Sequence, residues 1–349
     1  MWAVSNSKQI LLATHRHLPW GTADRIAHHL MIGGHHVTLI EHPLLPTSEQ
    51  WSKVIIRNQL VNQIERRPMV GIRYFRDFYL TSKWGSEFLP DIAIGFDALS
   101  AYALLYAFYG STTKVVLYLV DWIDRPLLNH INRFVAEMVD QVWCVAPAIQ
   151  DKLGIVDVQI VPNLPLRFID QPVPIPDRLA DINIGYIGHL TDEQDITPFL
   201  YALSIIPVDS RPFLLVAGDG PMYVNYKKIC VELELDRVKF TGQLKTTEQL
   251  AGFYKDIHFG IVPYHANRSE KIANGDSIKL ADYVTNFKFV IMTYLFDGID
   301  DQGLGECVSR TPEEIARMLM QLPEKRINLI TANAFYDDRQ QKFYKVFDL

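Results

Sequence analysis

A chain of 349 residues has room for two domains of ordinary size, and its formal net charge of -6 lacks the basic excess typical of a nucleic-acid-binding protein. Every apolar run ends before the roughly 18 residues that a membrane-spanning helix needs, and Ile10–Ala13 is too short for the apolar region of a signal peptide. We therefore expect no nucleic-acid partner and a cytoplasmic protein, either free or held peripherally on the inner face of the cell membrane.

Short apolar runs alternate with helical patterns along the first half of the chain. The predicted strands are Gln9–Thr14, Val37–Ile40, Asp91–Gly95, Lys114–Val120, Gln141–Val145 and Val158–Val161. The helical patterns among them are Ala23–Ile32, Leu99–Tyr109 and Leu128–Val139. Most of the strands are apolar throughout, as in a sheet that helices cover on both faces. The alternation predicts a parallel sheet, and hence a Rossmann-like domain, over residues 1–165.

A proline-rich stretch interrupts this alternation. Prolines at such a density block helices and central strands, so residues 166–180 are predicted to be an interdomain linker. The strands predicted beyond it are Ile182–Ile187, Phe213–Ala217, Val238–Thr241, Phe259–Val262, Phe289–Thr293 and Glu306–Ser309. They indicate a second Rossmann-like domain over residues 181–335. For the aromatic and charged tail, 336–349, we expect a helix that packs on the first domain.

Two helix starts are marked in the sequence of the second half. Thr246 and Gln249 have the spacing of a capping box, which predicts a helix that continues through Tyr254. Thr311 fits an N-cap, and Pro312 fits the first helical position.

The alternation of strands and helices in both halves predicts an α/β fold class, with two Rossmann-like domains that face each other across a cleft. Open α/β sheets bind ligands beyond the carboxyl ends of their strands, so the loops there are candidate sites.

Two segments of the second half are candidate phosphate sites. Gly185–His189 ends a predicted strand with glycines that let the backbone approach a phosphate, although a plain tight turn is the more common explanation. Asp276–Leu280 opens a helix whose free amides, together with the charge of Lys279, suit an anion. Asp276 and Ser277 would also serve as ordinary N-caps. A lysine in a first helical turn opposes the helix dipole, however, and such a residue is a candidate for function.

Asp121 follows the predicted strand Lys114–Val120. A carboxylate at that place could take a proton from an acceptor hydroxyl. Asp124 lies close by and raises the alternative of a metal site, but two carboxylates at this spacing more commonly cap a helix, here the one near Pro126. We therefore predict no metal ion and no cofactor.

His15, Arg16 and Trp20 follow the first predicted strand. Polar groups in this loop could hold an acceptor sugar, and Trp20 could stack on it. A solvated loop explains the same residues equally well.

The stretch from Trp51 to Leu89 interleaves seven basic residues with seven aromatic residues and contains three acids. This composition suits an anionic membrane surface. Nucleic acid is a second possibility, and an insertion packed on the first domain has at least as much support.

The segment Asp256–Tyr264, followed by Asp276–Leu280, resembles bacterial glycosyltransferases of the GT-B fold and is similar in particular to the glucuronosyltransferases of xanthan synthesis. Gly185–Gly188 and Phe240–Lys245 fit the same pattern. In the first half only Lys114–Asp121 matches. The resemblance therefore covers most of Ile182–Met292 and little before it.

The resemblance implies a role for individual residues. Asp121 stands where the family places its catalytic base. The implied donor contacts are Gly188 and His189 at the phosphates, Gln243 at the nucleotide base, Tyr264, Ser277, Ile278 and Lys279 at the sugar and diphosphate, and Asp282 at the ribose.

The sequence departs from the family pattern at two places. Many retaining relatives carry two glutamates across this region, where Asn274 and Asp282 stand here. The glycine–proline pair usual before the next strand is replaced by Phe287–Phe289. The first departure favours an inverting reaction.

The resemblance and the residues together predict a glycosyltransferase of the hexosyl or glucuronosyl type. It would move a sugar from a nucleoside diphosphate sugar, UDP-linked by resemblance, to a hydroxyl of a saccharide. The basic and aromatic stretch suggests a lipid-linked saccharide of polysaccharide or glycolipid synthesis as the acceptor. Two alternatives stay open: a nucleotide-sugar 2-epimerase of the same architecture, and a non-catalytic nucleotide-sugar-binding protein.

Overall fold

A computed structural model describes residues 7–14, 21–41, 55–56, 59–60, 62–65, 89–122, 124–265, 276–294 and 302–347. The chain divides into two units, each with its own sheet. The first unit comprises Met1–Leu164, Glu270–Ile278 and Arg339–Leu349, and the second comprises Pro165–Ser269 and Lys279–Asp338.

The sheet of the first unit is parallel throughout. Its strands are β1 (Gln9–Ala13), β2 (His36–Glu41), β5 (Asn62–Glu65), β6 (Ile92–Gly95), β7 (Lys114–Leu119), β8 (Gln141–Cys144) and β9 (Val158–Ile160). They lie in the order β5-β2-β1-β6-β7-β8-β9. The described helices of this part are α1 (Thr22–Ile32), α2 (Ala98–Ala107), α3 (Pro126–Ala136) and α4 (Pro147–Leu153). The six predicted strands are confirmed, with ends that differ by one residue.

Three short strands in the first half were not predicted. β3 (Ile55–Ile56) and β4 (Gln59–Leu60) form a small antiparallel pair, and β5 extends the main sheet beside β2. β5 has the sequence Asn-Gln-Ile-Glu, which contains no apolar run. A strand at the edge of a sheet has only one neighbour, so its pairing does not require the apolar residues of a central strand.

The second sheet is also parallel. Its strands are β10 (Asn183–Ile187), β11 (Phe213–Ala217), β12 (Val238–Gly242), β13 (Phe259–Val262), β14 (Phe289–Met292) and β15 (Gly305–Cys307), in the order β12-β11-β10-β13-β14-β15. Counted within the sheet, this is the order 3-2-1-4-5-6 of the Rossmann fold. The described helices are α5 (Thr197–Ile205), α6 (Tyr223–Glu232), α7 (Thr247–Asp256), α8 (Ile278–Thr285) and α9 (Pro312–Met320). The predicted strands of this half are confirmed as well.

The predicted helix starts are found where the sequence indicates them. Gln249 N donates to Thr246 Oγ1, and Thr246 N donates to Gln249 Oε1, both at 3.2 Å, so the capping box before α7 is confirmed. Thr311 is the N-cap of α9, and Pro312 lies in its first turn. Both signals are local, because a cap depends on residues three or four positions apart.

The stretch predicted as a linker, 166–180, belongs to the second unit and lies against it. Leu166 N donates to Asp282 Oδ1 at 2.9 Å, and Phe168 N donates to Asn286 Oδ1 at 2.7 Å. Leu166 is buried, and the Arg167 guanidinium lies 4.1 Å from the ring centroid of Tyr336. Side chains thus satisfy backbone groups that a proline-rich segment cannot pair in a sheet.

Helix α10 (Leu329–Val346) begins before the predicted tail, and the division between the two units falls within it, after Asp338. Its last turns belong to the first unit, where Phe343 and Phe347 are buried in the core. Arg339 donates to Asp276 Oδ1 and to Asn163 O, each at 2.9 Å. No helix in the described ranges is long and apolar enough to cross a membrane.

Candidate functional site

The second sheet reverses its winding between β10 and β13, which are its first and fourth strands along the chain. Ligands of open α/β sheets bind beyond the carboxyl ends of the strands at such a point. Gly188 directly follows β10, Tyr264 follows β13, and Lys279 lies in the first turn of α8. The structure brings these three predicted site residues together.

Lys279 is the centre of this group. Its Nζ donates a hydrogen bond to Gln194 Oε1 and lies 5.5 Å from the ring centroid of Tyr186 and 5.8 Å from that of Tyr264. Among the residues that the structure describes, no carboxylate forms an ion pair with Lys279. The residue as a whole is half-buried, and burial of the ammonium lowers its pKa to about 8.

These surroundings disfavour the charged form of Lys279. Water is replaced by one neutral hydrogen-bond acceptor and two aromatic rings, which compensate a buried cation only in part. An ammonium group has three donors, and Gln194 takes one of them. An anion placed here would supply the missing charge and accept the remaining hydrogen bonds. The group therefore has the chemistry of an anion-binding site.

Glycine makes room for Lys279 at the end of β10. Gly188 has a φ of +150°, and a Cβ built on it would lie 2.7 Å from both Cε and Nζ of Lys279. Its amide donates to Ala217 O at 2.9 Å. This amide is thus already paired with β11, and the absence of a side chain at Gly188 lets Lys279 approach the backbone. A phosphate contact of the Gly188–His189 turn stays a prediction. Gly185, the first glycine of the predicted phosphate loop, lies within β10 against Ile257 and Phe253 of the core.

The loops after β10, β11 and β12 are joined through their backbones. Gly218 N donates to Gly242 O at 2.8 Å, and Leu190 N donates to Asp219 O at 3.0 Å. A Cβ on Gly218, whose φ is +145°, would lie 1.9 Å from Gly188 O. Only glycine allows this approach, so the end of β10 is held in a fixed place beside Lys279.

The other predicted donor residues differ in their surroundings. Ser277 is buried and precedes α8, whose first residue is Ile278. His189 and Gln243 are exposed, and Gln243 follows the edge strand β12. Their contacts with a donor stay predictions.

The carboxylate of Asp282 forms hydrogen bonds within the second unit. The carboxylate is buried, and its Oδ1 and Oδ2 accept hydrogen bonds from Leu166 N at 2.9 Å and from the Tyr254 hydroxyl at 3.3 Å. Through these hydrogen bonds Asp282 holds the proline-rich stretch against α8, and its ribose contact stays a prediction.

In the first unit, Asp121 is half-buried and follows β7. The N-cap of α3 is Arg125, so the interpretation of Asp121 and Asp124 as helix caps was wrong. Asp124 instead accepts a hydrogen bond from Asn129 Nδ2 at 2.6 Å, which lowers the pKa of its carboxyl group, with a further contribution from Lys152.

No cluster of three or more potential metal ligands occurs in the part of the chain that the structure describes. His15, Arg16 and Trp20 lie outside the described residues.

The sequence did not indicate three residues around Lys279. Gln194 Oε1 accepts from Lys279 and lies 3.1 Å from the Tyr186 hydroxyl. Arg310 pairs with Asp195, the neighbour of Gln194, at 2.9 Å. Gln194 and Asp195 are adjacent, but they lie 85 residues from Lys279 and 115 from Arg310 respectively, so these contacts form no motif and arise only from the fold.

Comparisons with known proteins give a match of fold. No protein-family model and no curated protein matches the chain. The sucrose-phosphate synthase from Thermosynechococcus elongatus matches with a TM-score of 0.69 at 14% identity, and the match covers 98% of each chain. The Anabaena protein HepE in complex with UDP-glucose matches with a TM-score of 0.69 at 12% identity, covering 98% of this chain and 99% of that one.

A third solved structure agrees with these two. The lipopolysaccharide outer core galactosyltransferase WaaB, in its apo form, has a TM-score of 0.62 at 14% identity, with 97% of this chain and 99% of that chain covered. Together with the two parallel sheets, these matches show that the chain has the GT-B fold.

Proposed function

We propose that this chain is a glycosyltransferase that moves a sugar from a nucleoside diphosphate donor to a hydroxyl acceptor. The observation that carries the proposal is Lys279, a buried ammonium at the switch point of a Rossmann-type sheet, where its hydrogen-bond and ring partners among the described residues are all neutral. A diphosphate supplies the charge that this place lacks. The fold shared with HepE in complex with UDP-glucose supports the same reading.

The donor is proposed to be a UDP-sugar. Its diphosphate would lie at Lys279 and at the start of α8, with Ser277, Ile278 and the Gly188–His189 turn around it. Tyr264 would lie beside the sugar, and Gln243 would meet the base. The sugar is proposed to be a hexose or a hexuronic acid, in line with the resemblance to glucuronosyltransferases.

We propose that no metal ion takes part. The ammonium of Lys279 and the positive end of the α8 dipole together can balance a diphosphate. Activity should therefore persist in excess EDTA. Loss of activity in EDTA, with recovery on addition of magnesium or manganese, would contradict this part of the proposal.

Asp121 is proposed as the general base. Its carboxylate takes the proton of the acceptor hydroxyl while the hydroxyl oxygen attacks the anomeric carbon, and the bond to the UDP leaving group breaks in the same step. Direct displacement of this kind inverts the anomeric configuration. Asn274, at a place where many retaining relatives have a glutamate, supports the same outcome.

The test compares Asp121→Asn with Asp124→Asn, which removes an exposed carboxylate nearby. The Asp121 variant should lose about 10²–10⁴-fold in rate and keep its affinity for UDP, because a general base acts on the acceptor. The Asp124 variant should keep its rate. An NMR spectrum of the early product gives the anomeric configuration, and a product with the donor's own configuration would refute the inverting mechanism and the role of Asp121.

The same spectra distinguish the two alternative functions. A 2-epimerase would convert the UDP-sugar into a different UDP-sugar without an acceptor. A non-catalytic binding protein would bind the UDP-sugar and leave it unchanged with every acceptor. The acceptor itself is proposed to be a lipid-linked saccharide, which the basic and aromatic composition of Trp51–Leu89 supports.

A further inference from the structure

Two of the described segments beside Lys279 are separate along the chain and form walls of the site. One is the loop after β10, which contributes Gln194 as the hydrogen-bond acceptor of the ammonium. The other is the residue pair after β13, which contributes the ring of Tyr264. A backbone hydrogen bond from His265 N to Glu193 O, at 3.0 Å, links the two segments. The width of the site therefore depends on how these segments are held together.

Arg310, which follows β15, bridges the same two segments with its side chain. Its Nη2 donates to Asp195 Oδ2 and its Nη1 donates to Tyr264 O, both at 2.9 Å. The side chains of Arg310 and Asp195 are 18% and 19% exposed, so water screens this ion pair only in part. Because the guanidinium is planar and donates here from two of its nitrogens, it fixes both the distance and the angle between the two acceptors.

Both acceptors of Arg310 are themselves anchored. Asp195 Oδ1 accepts from Thr197 N at 2.9 Å and from the Tyr226 hydroxyl at 3.4 Å. Tyr264 O accepts a second hydrogen bond, from Thr293 Oγ1, at 2.8 Å. Arg310 therefore connects two fixed groups, and a change at Arg310 passes directly to the residues on either side of Lys279.

We propose that Arg310 is a positioning residue of the nucleoside diphosphate site, acting through Asp195 on Gln194 and through the backbone of Tyr264. The inference rests on the donor site proposed above. Arg310 itself makes no contact with Lys279 in the described structure. Its effect is to keep the two walls at the spacing that holds Lys279 in place for a diphosphate.

A second ion pair of the same unit supplies a matched control. Lys325 Nζ lies 2.5 Å from Glu306 Oε2, with side chains that are 26% and 35% exposed, and Glu306 belongs to β15, four residues before Arg310. Among the described residues, the side chains of this pair form no hydrogen bond or ion pair with Gln194, Asp195 or Tyr264. Glu306→Gln thus removes a comparable ion pair beside the same strand and leaves the walls intact.

The experiment measures UDP binding by calorimetry and thermal unfolding for the full chain and its variants. Arg310→Gln should bind UDP about tenfold more weakly, the scale on which outer partners of a bound ion act. Glu306→Gln should bind as the wild type does, although both variants lower the melting temperature. In Arg310→Gln the pH at which UDP affinity falls should also move upward from about 8, because Lys279 gains access to water.

Each outcome decides one question. Equal UDP affinity in Arg310→Gln and Glu306→Gln, with an unchanged pH midpoint, overturns the inference and leaves the donor site standing. A wild-type chain that does not bind UDP, or a Lys279→Met variant that binds as well as the wild type, overturns the donor site itself. If Arg310→Gln does not fold, Arg310→Lys is used, which keeps the charge and loses the fork, and it must show the same loss of affinity.

Discussion

Lys279 breaks two local rules at once. It places a cation in the first turn of α8, and it buries this cation among neutral groups. A folded protein retains such a residue at a cost in stability, and residues of this kind are concentrated at binding sites. The first rule is visible in the sequence, whereas the second became visible only when Gln194, Tyr186 and Tyr264 were found around the ammonium.

Replacing Lys279 should separate stability from binding. Lys279→Met keeps the length of the side chain and removes the buried charge, so the melting temperature of the ligand-free protein should rise at pH 7. UDP affinity should fall by about 2 kcal/mol, the scale of a hydrogen bond to a charged group, which is roughly 30-fold in the dissociation constant. Calorimetry and thermal unfolding on one preparation test both parts, and a variant that is both less stable and equally good at binding would contradict them.

The pH dependence of the same site has a defined sign. The folded-state pKa of Lys279, about 8, lies below the ordinary value of 10.5, so the folded protein binds fewer protons than the unfolded chain between these values. Its contribution to the free energy of unfolding therefore rises with pH across this window. A bound diphosphate favours the charged lysine, so wild-type affinity for UDP should fall as the pH rises above 8, while the affinity of Lys279→Met stays level. Both curves follow from calorimetric titrations between pH 7.5 and 9.5, where the phosphate charge is constant, since its second pKa is about 6.

Phe287 explains a departure that the sequence showed without a reason. It has a φ of +56°, in the left-handed region, where a glycine would meet no steric penalty. Its ring lies 5.2 Å from the Arg167 guanidinium, which also contacts Tyr336. The side chain thus contributes to the docking of the proline-rich stretch, which a glycine could not do.

At the scale of elements, the packing of the last turns of α10 depends on residues far away in the sequence. Phe343 is fully buried in the first core, Phe347 lies 5.0 Å from Trp143 between ring centroids, and Lys8 Nζ donates to Phe347 O at 2.8 Å. The helix pattern of the tail can be read from its residues. The cavity that receives Phe343 is formed by strands and by α1, far away in sequence, so no local pattern could specify it.

Phe343→Ala should destabilise the first unit by about 3–5 kcal/mol, because it removes a buried aromatic side chain and leaves a cavity. Ile330→Ala, on the same helix but 84% exposed, should change stability by less than about 0.5 kcal/mol. Chemical denaturation with a probe in each unit measures the difference. Equal, small effects for the two variants would show that the last turns of α10 do not support the first core.

At the scale of the whole molecule, we expect any binding to an anionic membrane surface to depend on the basic residues of Trp51–Leu89. The net charge of -6 opposes binding to an anionic surface, so binding requires a local basic segment, and Trp51–Leu89 is the candidate. Residues 66–88, most of its length, lie outside the described structure, so the expectation rests on composition.

The test compares two double variants. In one, Arg66 and Arg67 are replaced by glutamine. In the other, Lys227 and Lys228, two exposed lysines of α6, are replaced by glutamine, which changes the net charge by the same amount. Wild-type protein should co-sediment with anionic vesicles and be released by salt, because ions screen surface attraction. The arginine variant should bind more weakly and the lysine variant as the wild type does. Equal sedimentation with neutral and anionic vesicles, or none with either, would favour an insertion that packs on the first unit.

The sequence by itself determined every strand of the two main sheets except the edge strand β5, as well as the two helix starts and Lys279 as a candidate anion-binding residue. These features depend on apolar runs, caps and a helix dipole, whose physical causes act within a few residues. Only the tertiary structure decided the strand order, the docking of the predicted linker and the partners of Lys279. Arg310 and Asp195 are 115 residues apart, and Gln194 and Lys279 are 85 apart. Contacts at such separations arise from the packing of the whole sheet, and no spacing in the sequence records them.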